Sequence, residues 1–265
     1  AIKELHISGQ SNRFIREAKV LQKLSHPGLV KCVDFIEMQD ATDATLYFLV
    51  LEYLPGMPAA GLHQRIRKSA NGLDPTEVLP LFTRYLDCLE YLHGEGVIHR
   101  DIKPGNLYAP VGHPEQAKIF DLGIGLDFED MGTKSNYTVP GSVDFMAPDY
   151  AMHGSQRGSP QTDVYATGVC LYQALTKCLP FPRLPDQEAE AWRAYCERAH
   201  RPLVVKFDNP VFQRFPELVP LIRRALAHKA QERFKSAQEM AGAIGEILGG
   251  GERRRKEGVD GKPGT

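Results

Sequence analysis

The loop His99-Arg100-Asp101-Ile102-Lys103-Pro104-Gly105-Asn106-Leu107 puts a carboxylate, a cation and a carboxamide within a few residues of one another. Asp121 follows downstream in an Asp121-Leu122-Gly123 turn. A carboxylate such as Asp101 can orient a weakly nucleophilic hydroxyl and accept its proton. Lys103 can neutralise charge on a phosphoryl group in transit. Asn106 and Asp121 offer hard oxygen donors of the kind magnesium takes, one or two protein groups beside phosphate oxygens. These types in this order suit phosphoryl transfer from a metal-bound nucleotide, a reaction that is mostly positioning and charge stabilisation. Alone, Asp101 reads equally well as a turn-capping residue. Lys103-Pro104 and Asn106 beside it favour chemistry, and Pro104 stiffens the loop so that Asn106 turns back toward a metal.

The rest of the chain must hold that loop. Its 265 residues, 42% hydrophobic and 25% charged, suffice for one large domain or two closely packed lobes with a full core. A net charge of -1 gives no global pull toward nucleic acid or an anionic membrane. The 5 cysteines form no C-x-x-C pair and no zinc-type spacing, which reads as reduced thiols in a cytosolic setting. No apolar run reaches the ~18 residues of a membrane span, and no signal peptide is legible. The first residue is Ala, so a piece of a longer protein is expected.

Residues 1–7 alternate as a short strand does. Arg13 to Leu24 reads as a helix with Ser11 or Asn12 as its N-cap. The apolar runs Leu29 to Ile36 and Leu46 to Leu54 read as an antiparallel strand pair. Beyond Pro55-Gly56 the pattern becomes helical: Leu62 to Ser69, Thr76 to Leu92 behind Asp74-Pro75, Thr162 to Leu175, Gln187 to Ala199, Pro216 to Ala227, and Ser236 to Leu248. The last of these opens on the capping-box spelling Ser236-x-x-Glu239. Residues 124–148 read as loop. The tail, 249–265, combines Gly249-Gly250-Gly251 with Arg253-Arg254-Arg255-Lys256 and reads as a disordered basic linker. Such a cluster also suits the inner side of a membrane, ahead of a span beyond the chain.

From Ala1 to about Leu248 the chain resembles the catalytic domain of a Ser/Thr protein kinase of the bacterial, Hanks type. The motifs that carry the likeness are Ala1-Ile2-Lys3, Glu17 in a helix, His99-Arg100-Asp101 with Asn106, Asp121-Leu122-Gly123, Ala147-Pro148-Asp149, Asp163 and Arg233. The resemblance implies an α+β, two-lobed fold. Its β-rich N-lobe, truncated before the third strand, and hinge span 1–54; the mainly α-helical C-lobe spans 55–248; the linker is 249–265. It also implies ATP with Mg²⁺, or Mn²⁺ in its place, as cofactors, and protein substrates with Ser or Thr acceptors, this chain included. No nucleic-acid partner is implied. The implied location is cytoplasmic, alone or as the cytoplasmic part of a membrane-anchored protein.

By the same resemblance Asp101 is the catalytic base and Lys103 its charge-neutralising partner; Asn106 and Asp121 hold the metal. Lys3, fixed by Glu17, holds the α- and β-phosphates. Glu17 shares a helix face with Phe14, Leu21 and Leu24, so its carboxylate needs a partner: Lys3, or Arg13 at i-4 in a solvated pair. Leu51 is the gatekeeper, the backbones of Glu52 and Leu54 meet adenine, and Ala1 and Leu107 sandwich the ring. Leu21, Cys32, His99, Leu122 and Asp163 match the stack that joins the lobes. Asp149 replaces the usual Glu opposite Arg233, and a looser pair is expected. Arg100 would receive a phosphate from Thr133, Ser135 or Thr138, with Ser142 near the base. The glycine-rich loop of the family should precede Ala1; without it, weak activity is expected. The rival readings are a pseudokinase or regulatory scaffold that binds nucleotide or partners without turnover, and a small-molecule phosphotransferase of similar shape.

Overall fold

The computed structural model describes residues 2–5, 11–39, 41, 45–122, 143–149, 158–185 and 187–259. Three strands, β1 (Ile2–Leu5), β2 (Cys32–Gln39) and β3 (Thr45–Leu51), form an antiparallel sheet in the order β1-β3-β2. Lys3 lies opposite Leu49 in that register. Helix α1 (Ser11–Leu21) runs between β1 and β2. It ends three residues before the expected Leu24, because Lys23 and Leu24 donate to the carbonyls of Val20 and Leu21, an i→i-3 tightening of the last turn. Leu21 and Leu24 are buried and Glu17 is half-buried, as the apolar face requires.

The larger part is helical: α2 (Leu62–Lys68), α3 (Pro75–Gly94), α4 (Pro160–Thr176), α5 (Glu188–Ala199), α6 (Pro210–Arg214), α7 (Leu218–Ala225) and α8 (Ala237–Val259). Helix α3 starts where Asp74 accepts the Thr76 amide at 2.9 Å and Pro75 fixes the first φ. Pro80 sits one turn in, where it removes a single helical hydrogen bond. Helix α4 is apolar on nearly every side because it runs through the middle of the lobe, packed by α3, α7 and α8. A Cβ at Gly168 would lie 2.8 Å from the Ala225 Cβ, so a bare backbone lets α4 and α7 approach. The five-residue α6, capped by Asn209 Oδ1 on the Val211 amide, was not expected from the sequence.

Helix α8 corrects the expectation of a disordered tail from residue 249. The helix continues through Gly249-Gly250-Gly251 to Val259. An established helix propagates at one hydrogen bond per added residue, and Glu252 to Glu257 are strong helix formers. Its start is half of the expected box: the Glu239 amide donates to Ser236 Oγ at 3.2 Å, but Glu239 Oε2 accepts the amide of Lys235 rather than that of Ser236. Among the described residues no helix is long and apolar enough to cross a membrane.

The sheet is tied to the helical part through a short hairpin, β4 (Leu107–Tyr108) and β5 (Lys118–Ile119). The Val30 amide donates to the Ile119 carbonyl at 2.9 Å and the Ile119 amide to the Gly28 carbonyl at 2.8 Å. The segment entering β2 is thereby laid alongside the strand that leads to Asp121.

Candidate active site

Asp101 sits in the turn between α3 and a 3-10 turn at Pro104–Asn106. Its two carboxylate oxygens have different surroundings. Oδ2 accepts Lys103 Nζ at 2.6 Å and Asn106 Nδ2 at 3.0 Å. Oδ1 is buried and has no hydrogen-bond partner among the described residues. Asn106 Nδ2 also donates to the Asp101 main-chain carbonyl at 2.9 Å. With its amino group committed twice to Asp101, the Asn106 carboxamide keeps Oδ1 as its remaining acceptor.

The hairpin places Asp121 beside this loop. Asn106 immediately precedes β4, and Asp121 follows β5 with Phe120 between them; Phe120 donates its amide to the Asn106 carbonyl at 3.1 Å. Asp121 has a left-handed backbone, φ 56°, while Leu122 after it is buried. A local anchor of this kind sets the direction in which the carboxylate leaves the chain.

Asp163, in the first turn of α4, is 1% exposed and acts across the core. Its Oδ2 accepts the His99 amide and its Oδ1 the Arg100 amide, both at 2.9 Å. His93 Nε2 lies 2.8 Å from Oδ2. Arg100, held in this way, has φ 69° and places Asp101 next in line. His99 is fully buried, and burial pulls its pKa below the ordinary 6.5 despite the opposing charges of Asp163, Asp101 and Asp121. The Cys170 thiol is pushed well up, first by burial and then by the negative charge of Asp101.

The expected nucleotide side is assembled in part. Leu51 ends β3 and is half-buried; Glu52 and Leu54 follow, half-buried, around an exposed Tyr53. Glu52 Oε1 accepts the Lys31 amide at 2.7 Å and pairs with Lys118 Nζ at 2.8 Å, and its own amide donates to the Lys31 carbonyl at 3.0 Å. Leu107 is buried in β4. Lys3 is placed in β1 and Glu17 in α1, while Ala1, Thr133, Ser135, Thr138 and Ser142 lie outside the described residues. Of the interlobe stack, Leu21, His99, Leu122 and Asp163 are buried and Cys32 is half-buried.

Asp149 does not loosen its pair with Arg233. The contact is bidentate, at 2.7 and 2.8 Å, and the guanidinium also donates to the carbonyls of Ala227, Gln161 and His228. The fold sets the guanidinium within reach of the shorter acid, so the fork closes on both oxygens. Two residues that sequence reasoning passed over, His93 and Lys118, belong to the frame of the site. Their partners are distant in sequence, and no local pattern marks either.

A profile of the family described as "Protein kinase domain" matches residues 1–242. The chain is 31% identical over 258 residues to serine/threonine-protein kinase pkn2 of Myxococcus xanthus, covering 92% of this chain and 29% of that protein. It is 32% identical over 233 residues to serine/threonine-protein kinase pkn3 of the same organism (85% and 40% covered). With serine/threonine-protein kinase PrkC of Bacillus subtilis the identity is 30% over 238 residues (88% and 33% covered). The chain thus spans about a third of the length of these curated relatives. Among solved structures, that of Rad53 1-466 in complex with AMP-PNP superimposes with a TM-score of 0.63 at 22% identity, over 93% of this chain and 57% of that one. The chain belongs to the protein kinase domain family, and its fold is the two-lobed kinase fold.

Proposed function

We propose that this chain is the catalytic part of an ATP-dependent Ser/Thr protein kinase, with Asp101 as its base. The observation that carries the reading is the asymmetry of the Asp101 carboxylate. Oδ2 is occupied by Lys103 and Asn106, so the side chain cannot rotate freely, and Oδ1, which has no hydrogen-bond partner among the described residues, is the oxygen with acceptor capacity to spare for the proton of a hydroxyl.

The oxygens at hand suit magnesium. Among the described residues no cluster of three or more His, Cys, Asp or Glu could hold a metal. A cation with only two protein oxygens, Asn106 Oδ1 and an Asp121 carboxylate, would complete its shell with phosphate oxygens and water, which is how magnesium is usually held. Bound there with ATP, it would neutralise charge on the phosphates as the γ-phosphoryl group moves. The protein's own part is positional. Asp101 orients the Ser or Thr hydroxyl and takes its proton on Oδ1. Lys103, already against Asp101, lies where the transferred group arrives and offsets its charge. Lys3, with Glu17 as its partner, holds the α- and β-phosphates. The backbones of Glu52 and Leu54 receive adenine beside the gatekeeper Leu51, between Ala1 and Leu107. Residues 1–54 then serve as small lobe and hinge, and the helical lobe begins at 55.

Arg100 is the proposed receiver of a phosphate on Thr133, Ser135 or Thr138, with Ser142 near the base. Its buried Nε has no hydrogen-bond partner among the described residues and is a donor with capacity for an acceptor. Replacing all three hydroxyl residues by Ala should lower turnover, and unchanged turnover refutes this assignment. The overall reading is tested by incubating the chain with γ-labelled ATP, Mg²⁺ and a protein acceptor. Label on serine and threonine is expected. Nucleotide binding without any transfer would favour a scaffold instead.

A further inference from the structure

We propose that Tyr108 is a positioning residue for the nucleotide: its hydroxyl latches the exit of the hinge, at Pro55, onto the β4–β5 hairpin. The inference rests on the reading above, in which the backbones of Glu52 and Leu54 meet adenine. Tyr108 and Lys118 are cross-strand partners in the hairpin, so their side chains share a face. The opposite face carries Leu107 and Ile119, both buried in the core. Both members of the first pair reach the hinge. Lys118 Nζ meets the Glu52 carboxylate at 2.8 Å, and Tyr108 Oη donates to the Pro55 carbonyl at 2.9 Å. One cross-strand pair therefore holds the segment 52–55 at its entrance and at its exit.

The chemistry of Pro55 gives the hydroxyl its part. A proline has no N–H, so its carbonyl is the only main-chain group through which it can be tied down. Gly56 follows with φ 76°, and the chain turns there. The bonds inside this turn are local and move with it: the Met57 amide to the Leu54 carbonyl at 3.3 Å, and the Ala60 amide to the Gly56 carbonyl at 3.0 Å. A main-chain tie to the hairpin, from the Ala109 amide to the Ala60 carbonyl at 2.8 Å, comes only at the far end of the turn. The latch has a fixed mount. Tyr85 Oη, buried in α3, donates to the Tyr108 carbonyl at 2.8 Å, and Arg65 Nη1 donates to the Ala109 carbonyl at 2.9 Å. Tyr108 is buried while Pro55 is exposed, so the hydroxyl joins the core to the rim of the hinge. A phenylalanine would fill the same space with no polar atom to satisfy; the oxygen of the tyrosine goes to the hinge.

The test compares the wild-type chain with Tyr108→Phe, which removes the hydroxyl and keeps the ring. Tyr172→Phe is the control: it removes a tyrosine–carbonyl bond of similar length, from Tyr172 Oη to the Lys206 carbonyl at 2.8 Å, within the helical part. Two readouts are taken: kcat with the KM for ATP, and hydrogen exchange of the Met57 amide relative to that of Ala109. In Tyr108→Phe the KM for ATP should rise roughly three- to tenfold with kcat within about twofold, the range that one neutral hydrogen bond covers. Its Met57 amide should exchange at least about threefold faster while Ala109 keeps its protection. Tyr172→Phe should leave both readouts at wild type, which separates a latch on the hinge from a general loss of stability. A KM for ATP or a Met57 exchange rate unchanged in Tyr108→Phe, or an equal rise in Tyr172→Phe, overturns the proposal. If the wild type transfers no phosphate, the phosphotransfer reading fails, and the Met57 exchange comparison alone decides whether Tyr108 holds this segment.

Discussion

Removing the Asp149 carboxylate should be among the most destabilising single changes in the helical lobe. Arg233 is the largest fully buried side chain, and Asp149 supplies its sole counter-charge among the described residues through two hydrogen bonds of 2.7 and 2.8 Å. In Asp149→Ala the guanidinium keeps the carbonyls of Ala227, Gln161 and His228 and the face of the Tyr165 ring, 4.9 Å from its centroid. It loses the one anion it meets among the described residues while remaining in the core. Breaking a buried pair from one side costs about 3–5 kcal/mol. The surviving carbonyl contacts place this case at the low end, about 3 kcal/mol, a large share of the ~5–15 kcal/mol that holds a domain together. Urea unfolding followed by circular dichroism measures it. A second variant separates charge from packing: Asp149→Ala with Arg233→Met removes the stranded cation and should be more stable than Asp149→Ala alone. A single-variant loss below about 1 kcal/mol, the scale of an exposed pair, would refute the reasoning, as would a double variant less stable than the single one.

Two further predictions concern the frame of the site. Lys118→Met removes the cation that ties Glu52 to the strand leading to Asp121, so the KM for ATP should rise roughly three- to tenfold with kcat little changed, about what loss of a partly exposed ionic contact allows. Initial-rate kinetics at varied ATP checks this. Since burial lowers the pKa of His99 in the fold, the unfolded chain takes up the proton first as pH falls below 6.5. The stability that neutral His99 contributes is full above that pH and declines on acidification toward the folded-state value, by at most about 1.4 kcal/mol per pH unit. Urea midpoints of wild type and His99→Phe at pH 7.5 and 5.5 test it: the wild type should lose more between the two.

The sequence made the catalytic loop legible because its chemistry is local: Asp101, Lys103 and Asn106 lie within one turn of chain and touch one another in the fold. Helix starts were legible where a cap and a proline coincide, as at Asp74-Pro75. The same signal stands at Asn209-Pro210, but the helix it opens has only five residues, too short to show a period. His93 was invisible because its partner Asp163 is 70 residues away, and a histidine at a helix end is unremarkable by itself. Lys118 and Glu52 meet only once the strand pairing is known. The Asp149–Arg233 pair was found by its residue types, but its tightness depends on where packing sets a buried guanidinium, which no spacing encodes. At the C-terminus, a glycine run argued for a linker on composition, while the strong helix formers beyond it carried the helix on.

The central claim is that Asp101 does the proton chemistry of phosphoryl transfer. Asp101→Asn keeps the size of the side chain and an oxygen that Lys103 can meet, but removes the carboxylate. Single-turnover transfer from labelled ATP to a protein acceptor should slow by about 10²- to 10⁴-fold in this variant, with ATP affinity within about threefold of wild type. Transfer at the wild-type rate from Asp101→Asn would contradict the account.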